Sequence, residues 1–169
     1  MRRTRTKLIT GIVAAVIVLA AVPAASAALH ARGAPNCVRA QLGVRNNGTS
    51  GALGTIHGAW VFTNRSDTAC TLNGYPDLQL YGPAGRPMPT TVMQDLAPAP
   101  AAVILAPGGS GTFFSSYNDV GSGSHPCQTS AVIQIAAPNA DAPHFIPAKL
   151  QACGGVVHVS AVKAGVHHA

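Results

Sequence analysis

The stretch HGAWVFTN, residues 57 to 64, decides how the rest of the chain is interpreted. Trp60 and Phe62 fall on one face of an extended segment and the smaller residues between them on the other, because successive side chains of a strand point to opposite faces. Burying the two aromatic side chains contributes about 1.5–3 kcal/mol each. We therefore predict a strand here, with Trp60 near the centre of the core.

Other short segments with strand character follow, separated by stretches rich in Gly and Pro. No segment after residue 27 keeps an apolar period of 3.6 residues, which weighs against a helical bundle. The sequence predicts an all-β fold, an antiparallel immunoglobulin-like β-sandwich of about seven to nine short strands. The remaining predicted strands are 37–44, which alternates most clearly, 77–81, 87–94, 103–105, 112–117, 130–136 and 156–162.

Three connections have recognisable composition. The sequence Ala-Pro-Gly-Gly at 106–109 suits a type II turn between paired strands, with Pro107 second and Gly108 third. The segments 46–54 and 117–125 are polar or glycine-rich, and we interpret both as loops. Loops on a rigid sandwich are where binding residues concentrate, so these two are the candidate binding loops.

Residues 1–27 have the features of a secretory signal peptide. Four Arg and Lys residues precede an apolar run at 8–22, and Ala25-Ser26-Ala27 is a small-residue cleavage site. An apolar run of 15 residues is short for a bilayer span, which needs about 20 residues, so a retained membrane anchor is the weaker alternative. We predict cleavage between Ala27 and Ala28, export to the extracellular space, and no stable membrane insertion afterwards.

The basic character of the chain comes mainly from this leader. Its formal net charge is +6, but the leader holds four of the eleven Lys and Arg residues, which leaves seven against five Asp, a net of +2. Seven scattered cations do not make the basic patch that nucleic-acid or acidic-membrane binding requires. We therefore expect no nucleic-acid partner.

Four cysteines in an exported chain predict two disulfides. Their spacings of 33, 57 and 26 residues lack the close pairs of a thiolate metal site. Three pairings are possible from sequence. We favour Cys37–Cys70 with Cys127–Cys153, because the first two strands return Cys70 towards Cys37; the nested pairing Cys37–Cys153 with Cys70–Cys127 is the alternative.

The segments 60–66 and 70–76, WVFTNRS and CTLNGYP, resemble the signature of the 4232 family of domains of unknown function, which are exported actinobacterial modules. The resemblance spans about 37–162. It implies a sandwich-like fold and a cell-envelope or extracellular location, and it implies no activity and no catalytic residue. The motif residues, which we interpret as structural, are Trp60, Phe62, Asn64, Ser66, Cys70, Leu72, Gly74, Tyr75, Pro76, Pro107 and Gly108.

Patterns that would indicate an enzyme are incomplete. The sequence Gly-Gly-Ser-Gly-Thr at 108–112 lacks the last glycine of a nucleophile elbow. All five carboxylates are Asp in turn-like segments, where Asp bonds to local backbone, so the acid pair of a glycosidase is not indicated. The glycines at 48, 51 and 54 are not followed by the Gly-Lys-Ser/Thr of a phosphate loop. We expect no catalytic residue, no cofactor and no enzyme activity.

The leading hypothesis is a secreted, monomeric, non-catalytic binding or structural module of the cell envelope, with an envelope protein or a glycan as partner. The alternative is a secreted copper- or zinc-binding protein that uses histidine, although we assign no metal ligand. We expect a flexible segment at 28–36, the domain at 37–162 and a loose tail at 163–169. The histidines that follow Cys37 are His57, His125, His144, His158, His167 and His168.

Overall fold

The computed structural model describes residues 33–169, which form an all-β, sandwich-like domain with two disulfides. The predicted all-β, sandwich-like class with two disulfides is therefore confirmed, whereas immunoglobulin-like strand topology is not shown, and the strands are more numerous than expected. Within 33–169 no helix is long and apolar enough to cross a bilayer. The strands are β1 Leu42–Ala52, β2 Thr55–Asn64, β3 Cys70–Leu72, β4 Asp77–Tyr81, β5 Thr91–Asp95, β6 Val103–Leu105, β7 Ser110–Asn118, β8 Cys127–Thr129, β9 Val132–Ala136, β10 His144–Pro147, β11 Gln151–Cys153, β12 Val156–Ser160 and β13 Lys163–Ala164.

The larger sheet has the order β1-β2-β7-β12-β5, and β13 also pairs with β7. Its neighbours are antiparallel except β12 and β5, which run parallel. The second layer contains the antiparallel sheet β10-β9-β4 and two short pairs, β3 with β6 and β8 with β11. Strands β4, β9 and β12 alternate between buried and more exposed residues, as strands with one face on a core do.

The core is built around three aromatic rings in the larger sheet. The Phe113 ring stacks on Phe62 with centroids 5.5 Å apart and on Trp60 with centroids 6.5 Å apart. The predicted central position of Trp60 is confirmed, since the residue is 1% exposed. Its indole Nε1 donates a hydrogen bond of 3.0 Å to the Ser115 hydroxyl, which satisfies the one polar atom that the ring brings into the core.

The first strand was placed wrongly from sequence. Residues Arg39–Gln41 form a short 3₁₀ turn, and β1 begins only at Leu42. The strand then continues through most of 46–54, which we expected to be a loop, and turns at Leu53 and Gly54 into β2. The outer half of β1 is exposed, so backbone pairing with β2 maintains this segment without the apolar alternation that a buried face imposes.

Two other predictions need correction in detail. The strand expected at 87–94 is β5, Thr91–Asp95, because Pro87 and Pro89 lack the N–H that a ladder needs. The turn at 106–109 has the predicted type II form: Gly108 has φ 75° and the Gly109 N–H donates to the Ala106 carbonyl at 2.7 Å. It does not join paired strands, however, because β6 pairs with β3 and β7 with β2.

The structure pairs Cys37 with Cys70 and Cys127 with Cys153. Residues 34–36 are not loose, because they lie alongside β3: Thr71 N–H donates to the Pro35 carbonyl at 2.8 Å, and Cys37 N–H donates to the Thr71 carbonyl at 3.0 Å. The expected signal peptide, its cleavage between Ala27 and Ala28, and residues 28–32 lie outside the described residues.

The tail at 163–169 is also packed, contrary to expectation. Lys163 and Ala164 form β13, and the His167 N–H donates to the Thr112 hydroxyl at 3.1 Å. The side-chain amide of Asn47 donates to the His167 carbonyl at 2.7 Å. The tail therefore crosses the outer face of the larger sheet from β7 to β1.

Candidate functional site

A cleft of about 560 Å³ lies at the end of the larger sheet where β2 begins and β7 ends. Strand residues of β2, β7 and β12 and the connection at 119–126 contribute to it. Its volume falls in the range of about 300–1,000 Å³ that is usual for small-ligand sites. The lining residues are Thr55, Ser116, Tyr117, Asn118, Val120, Ser122, His125, Cys153, Val156 and His158.

The sheet register brings three side chains into one row beside the cleft. His57 on β2 is opposite Ser116 on β7, and Ser116 is opposite His158 on β12. Val157 and Val159 are fully buried in the core, so His158 between them faces outward, and its register partners share that face. The row thus places a hydroxyl between two imidazoles on the solvent side of the sheet.

Asp95 on the neighbouring strand β5 fixes the orientation of His158. Its Oδ1 lies 3.3 Å from the imidazole Nδ1 of His158, and both side chains are about half exposed. With the ring proton on Nδ1, the imidazole donates to the carboxylate and Nε2 remains free as an acceptor. The parallel pairing of β5 with β12, which brings Asp95 into reach, is a contact that the sequence pattern did not indicate.

The connection at 119–126 forms one wall of the cleft. Ser122 and His125 exchange two backbone hydrogen bonds of 3.2 and 3.0 Å, which close a tight turn. The Ser124 hydroxyl lies 2.9 Å from His125 Nδ1, so it donates to that nitrogen when the ring proton is on Nε2. The Asp119 N–H donates to the Gly54 carbonyl at 3.0 Å, which joins this connection to the β1–β2 turn. The two candidate binding loops are therefore neighbours.

Burial sets the ionisation of the tyrosine at the base of the cleft. Desolvation raises the pKa of the Tyr117 phenol above its usual value, and the negative charge of Asp119 raises it further. The phenol is therefore neutral at physiological pH. None of the ten lining residues that belong to the described part of the chain is Lys, Arg, Asp or Glu, so the cleft presents neutral hydrogen-bonding groups.

The family-motif residues lie at the other end of β2. Asn64 is fully buried; its Nδ2 donates to the Thr68 carbonyl at 2.7 Å and to the Leu105 carbonyl at 3.0 Å. Its Oδ1 accepts from the Ser66 N–H at 3.0 Å and from the Ser66 hydroxyl at 2.7 Å. These contacts support the interpretation of the motif as scaffold. Asn64 and Thr55 are at opposite ends of the ten-residue strand β2, about 30 Å apart, whereas the motif residues Trp60 and Phe62 lie in the middle of that strand.

The histidines do not form one site. Across residues 33–169, no three side chains of His, Cys, Asp or Glu are close enough together to hold a metal ion. His144 lies in β10, where burial lowers its pKa and the positive charges of Arg39 and Arg65 lower it further. His167 and His168 lie in the packed tail, with His168 Nδ1 3.0 Å from the Asn47 carbonyl oxygen.

Sequence reasoning identified the loop at 117–125 but missed the floor of the cleft. Ser116 and Asn118 lie at i and i+2 in β7, which places them on one face, but the predicted strand ended at Tyr117 and left Asn118 in the expected loop. Extending the predicted strand by one residue would have placed the two side chains together. That signal was present in the sequence. The sequence carried no signal of the approach of His158 to Asp95, because that approach depends on strand order.

Comparison with known proteins gives one match. The family model described as "Domain of unknown function (DUF4232)" matches residues 37–165. No curated protein and no solved structure matches the chain.

Proposed function

The chain belongs to the DUF4232 family of domains of unknown function, and from this premise we propose that it is an exported, non-catalytic binding module whose ligand occupies the cleft. The observation that carries the proposal is that the 119–126 connection and the β1–β2 turn, which are joined by the hydrogen bond from Asp119 N–H to the Gly54 carbonyl, lie beside the cleft of about 560 Å³. Two disulfides suit an oxidising compartment, and the predicted leader supports export.

Ser116 and His158 of the row, together with Asp95, have the residue types of a hydrolytic triad, but the setting of Ser116 favours binding. Ser116 lies inside β7, which is paired with β2 on one side and β12 on the other. Backbone N–H groups in such a strand are engaged in the sheet ladder. They are then not available to stabilise an oxyanion, which is usually the largest contribution to acyl-transfer catalysis.

A pair of matched substitutions tests the proposal. Val120 at the cleft and Ile104 on β6 are both exposed aliphatic residues, at 70% and 62%. Val120→Arg places a long cation in the cleft, whereas Ile104→Arg makes the same change near the opposite end of the sandwich. Immobilised protein without the leader, residues 28–169, is incubated with culture fluid and envelope extract of the producing organism, and retained material is quantified.

We expect the wild type and Ile104→Arg to retain the same component and Val120→Arg to retain at least tenfold less. Both variants must unfold at the wild-type denaturant concentration, as exposed substitutions usually do. Equal retention by all three proteins, or retention of nothing specific by the wild type, would contradict a ligand in the cleft.

A further inference from the structure

We infer that the ligand of the cleft is a neutral oligosaccharide, an inference that rests on the proposed binding function and names its ligand class. The cleft presents hydroxyl groups, one carboxamide and two imidazoles, together with two exposed valines. The side chains are those of Thr55, Ser116, Ser122, Asn118, His125, His158, Val120 and Val156.

The hydrogen-bonding groups match those of a sugar. A hydroxyl group both donates and accepts, and a carboxamide carries two donors and an acceptor. The Thr55 hydroxyl lies 3.3 Å from Asn118 Oδ1, which leaves the two N–H donors of that amide without a protein acceptor among the described contacts. The hydroxyl groups around a sugar ring can both donate to and accept from these side chains.

The two imidazoles add opposite roles. Asp95 beside His158 Nδ1, at 3.3 Å, favours the tautomer whose Nε2 accepts. The Ser124 hydroxyl beside His125 Nδ1, at 2.9 Å, favours the tautomer whose Nε2–H donates when that hydroxyl is the donor. In these tautomers the cleft offers one imidazole acceptor and one imidazole donor, which together suit a ligand with several hydroxyl groups.

Two aliphatic side chains of the lining can contact the apolar parts of a sugar. Val120 is 70% exposed and Val156 is 37% exposed. A pyranose ring carries C–H groups on its faces, and an acetamido group carries a methyl, so either apolar portion can cover a valine and remove it from water. A purely apolar ligand would instead leave the surrounding hydroxyl and amide groups without partners.

Charge distinguishes sugars from other polar ligands. Carboxylate and phosphate ligands are usually bound by Arg or Lys, and the ten lining residues, all within 33–169, include neither. A short neutral peptide has fewer hydroxyl groups than the cleft can satisfy.

The test is a titration of isotopically labelled protein, residues 28–169, followed by amide chemical shifts. The probes are chitotriose, maltotriose and mannotriose, with trigalacturonic acid as an anionic sugar and trialanine as a neutral peptide. We expect at least one neutral trisaccharide to shift Ser116, Asn118 and Ser122, and the two comparison ligands to bind at least tenfold more weakly.

Matched variants test where the sugar contacts the protein. Asn118→Leu keeps the side-chain size and removes the amide, and we expect it to weaken sugar binding at least fivefold, as the loss of a hydrogen bond does. Asn73→Leu, an exposed residue near the motif end, keeps wild-type affinity. If Asn118→Leu does not fold, Ser122→Ala in the exposed connection replaces it, with the same expectation of weaker binding.

Two outcomes contradict the inference, and a separate measurement shows whether the proposed binding function fails with it. If no neutral trisaccharide shifts the cleft, or if the acid or the peptide binds more tightly, the ligand class is wrong. Should Val120→Arg nevertheless abolish capture from envelope extract, the proposed binding function stands with another ligand. If capture is also insensitive to Val120→Arg, both proposals fail.

Discussion

The side-chain amide of Asn64 donates a hydrogen bond to the Leu105 carbonyl 3.0 Å away, and this bond connects the end of β2 in the larger sheet to β6 in the second layer. The same amide donates to Thr68, while its oxygen accepts two bonds from Ser66. One buried side chain thus satisfies hydrogen-bonding groups of the turn after β2 and connects β2 to β6.

We predict that Asn64→Asp lowers the free energy of unfolding by about 3 kcal/mol or more. The substitution places a carboxylate oxygen against two carbonyl oxygens where the amide donated, and the two bonds from Ser66 are the only ones left to stabilise the buried charge. Urea denaturation measures the loss. Asn73→Asp, at an exposed position, is the control and changes stability by less than about 0.5 kcal/mol. A loss below about 1 kcal/mol at residue 64 would show that these bonds do not support the fold.

The bond between Trp60 and Ser115 gives a second prediction. Ser115→Ala leaves the buried indole N–H unpaired and costs about 1–2 kcal/mol. Trp60→Phe removes that donor together with core volume. Because the two residues share one bond, the double variant loses about 1 kcal/mol less than the sum of the single losses. Denaturation of all four proteins gives the coupling, and strictly additive losses would contradict the bond.

The two disulfides differ in what they support. They close loops with sequence separations of 33 and 26, and chain entropy assigns about 3.5 kcal/mol to each. We predict similar losses in unfolding free energy for paired Cys→Ala variants of either bridge. Only the variant of Cys127 and Cys153 also loses cleft binding, since Cys153 lines the cleft. Equal binding by both variants would show that the bridge does not position the wall.

Removal of the packed tail provides a fourth prediction. Deleting 166–169 eliminates the hydrogen bonds of the His167 backbone with Thr112 and Asn47, and the contact of its ring with Phe114. We expect a loss of about 1–3 kcal/mol in unfolding free energy. His167→Ala retains the backbone bonds and loses less. A deletion without effect would mean that the tail does not contribute to the fold.

The partly buried position of His144 predicts a dependence of stability on pH. Burial, and then the charges of Arg39 and Arg65, lower its pKa in the folded state. In the unfolded state the pKa is about 6.5, so the unfolded chain binds more protons as pH falls through that value, and stability decreases. Above about pH 6.5 this contribution is absent.

We expect the unfolding free energy to fall from pH 7.5 to about pH 5 in the wild type and to fall less in His144→Gln. His57→Gln, at an exposed position, controls for the loss of a histidine and keeps the wild-type slope. An identical slope in His144→Gln would remove His144 as the cause.

Local pattern predicted the strands that pack on the core well and the exposed strand ends poorly. β4 and β9 have one buried face, which imposes alternation on the sequence, and the middle of β2 is a run of buried residues. The outer half of β1 has no buried face, so its residues satisfy only backbone pairing and its composition resembles a loop. At 106–109 the turn type was predictable from Pro107 and Gly108, but the pairing of the flanking strands was not, since it depends on the layer to which each belongs.

The candidate site was also predictable from the sequence only in part. The connection at 119–126 was identifiable from its glycines and serines, because such composition cannot continue a buried strand. The approach of His158 to Asp95 requires β5 to lie parallel to β12, and strands that are distant in sequence carry no local signal of their pairing.

The attachment of residues 34–36 to β3 sets the direction in which the domain can be presented. Cys37 is bonded to Cys70, and β3 meets β6 beside Asn64, whereas the cleft begins at Thr55 at the other end of the ten-residue strand β2. A fusion partner or surface anchor joined ahead of residue 33 therefore connects about 30 Å from the cleft. A domain anchored in this way to a bead, a cell or a sensor chip keeps its cleft turned away from the support.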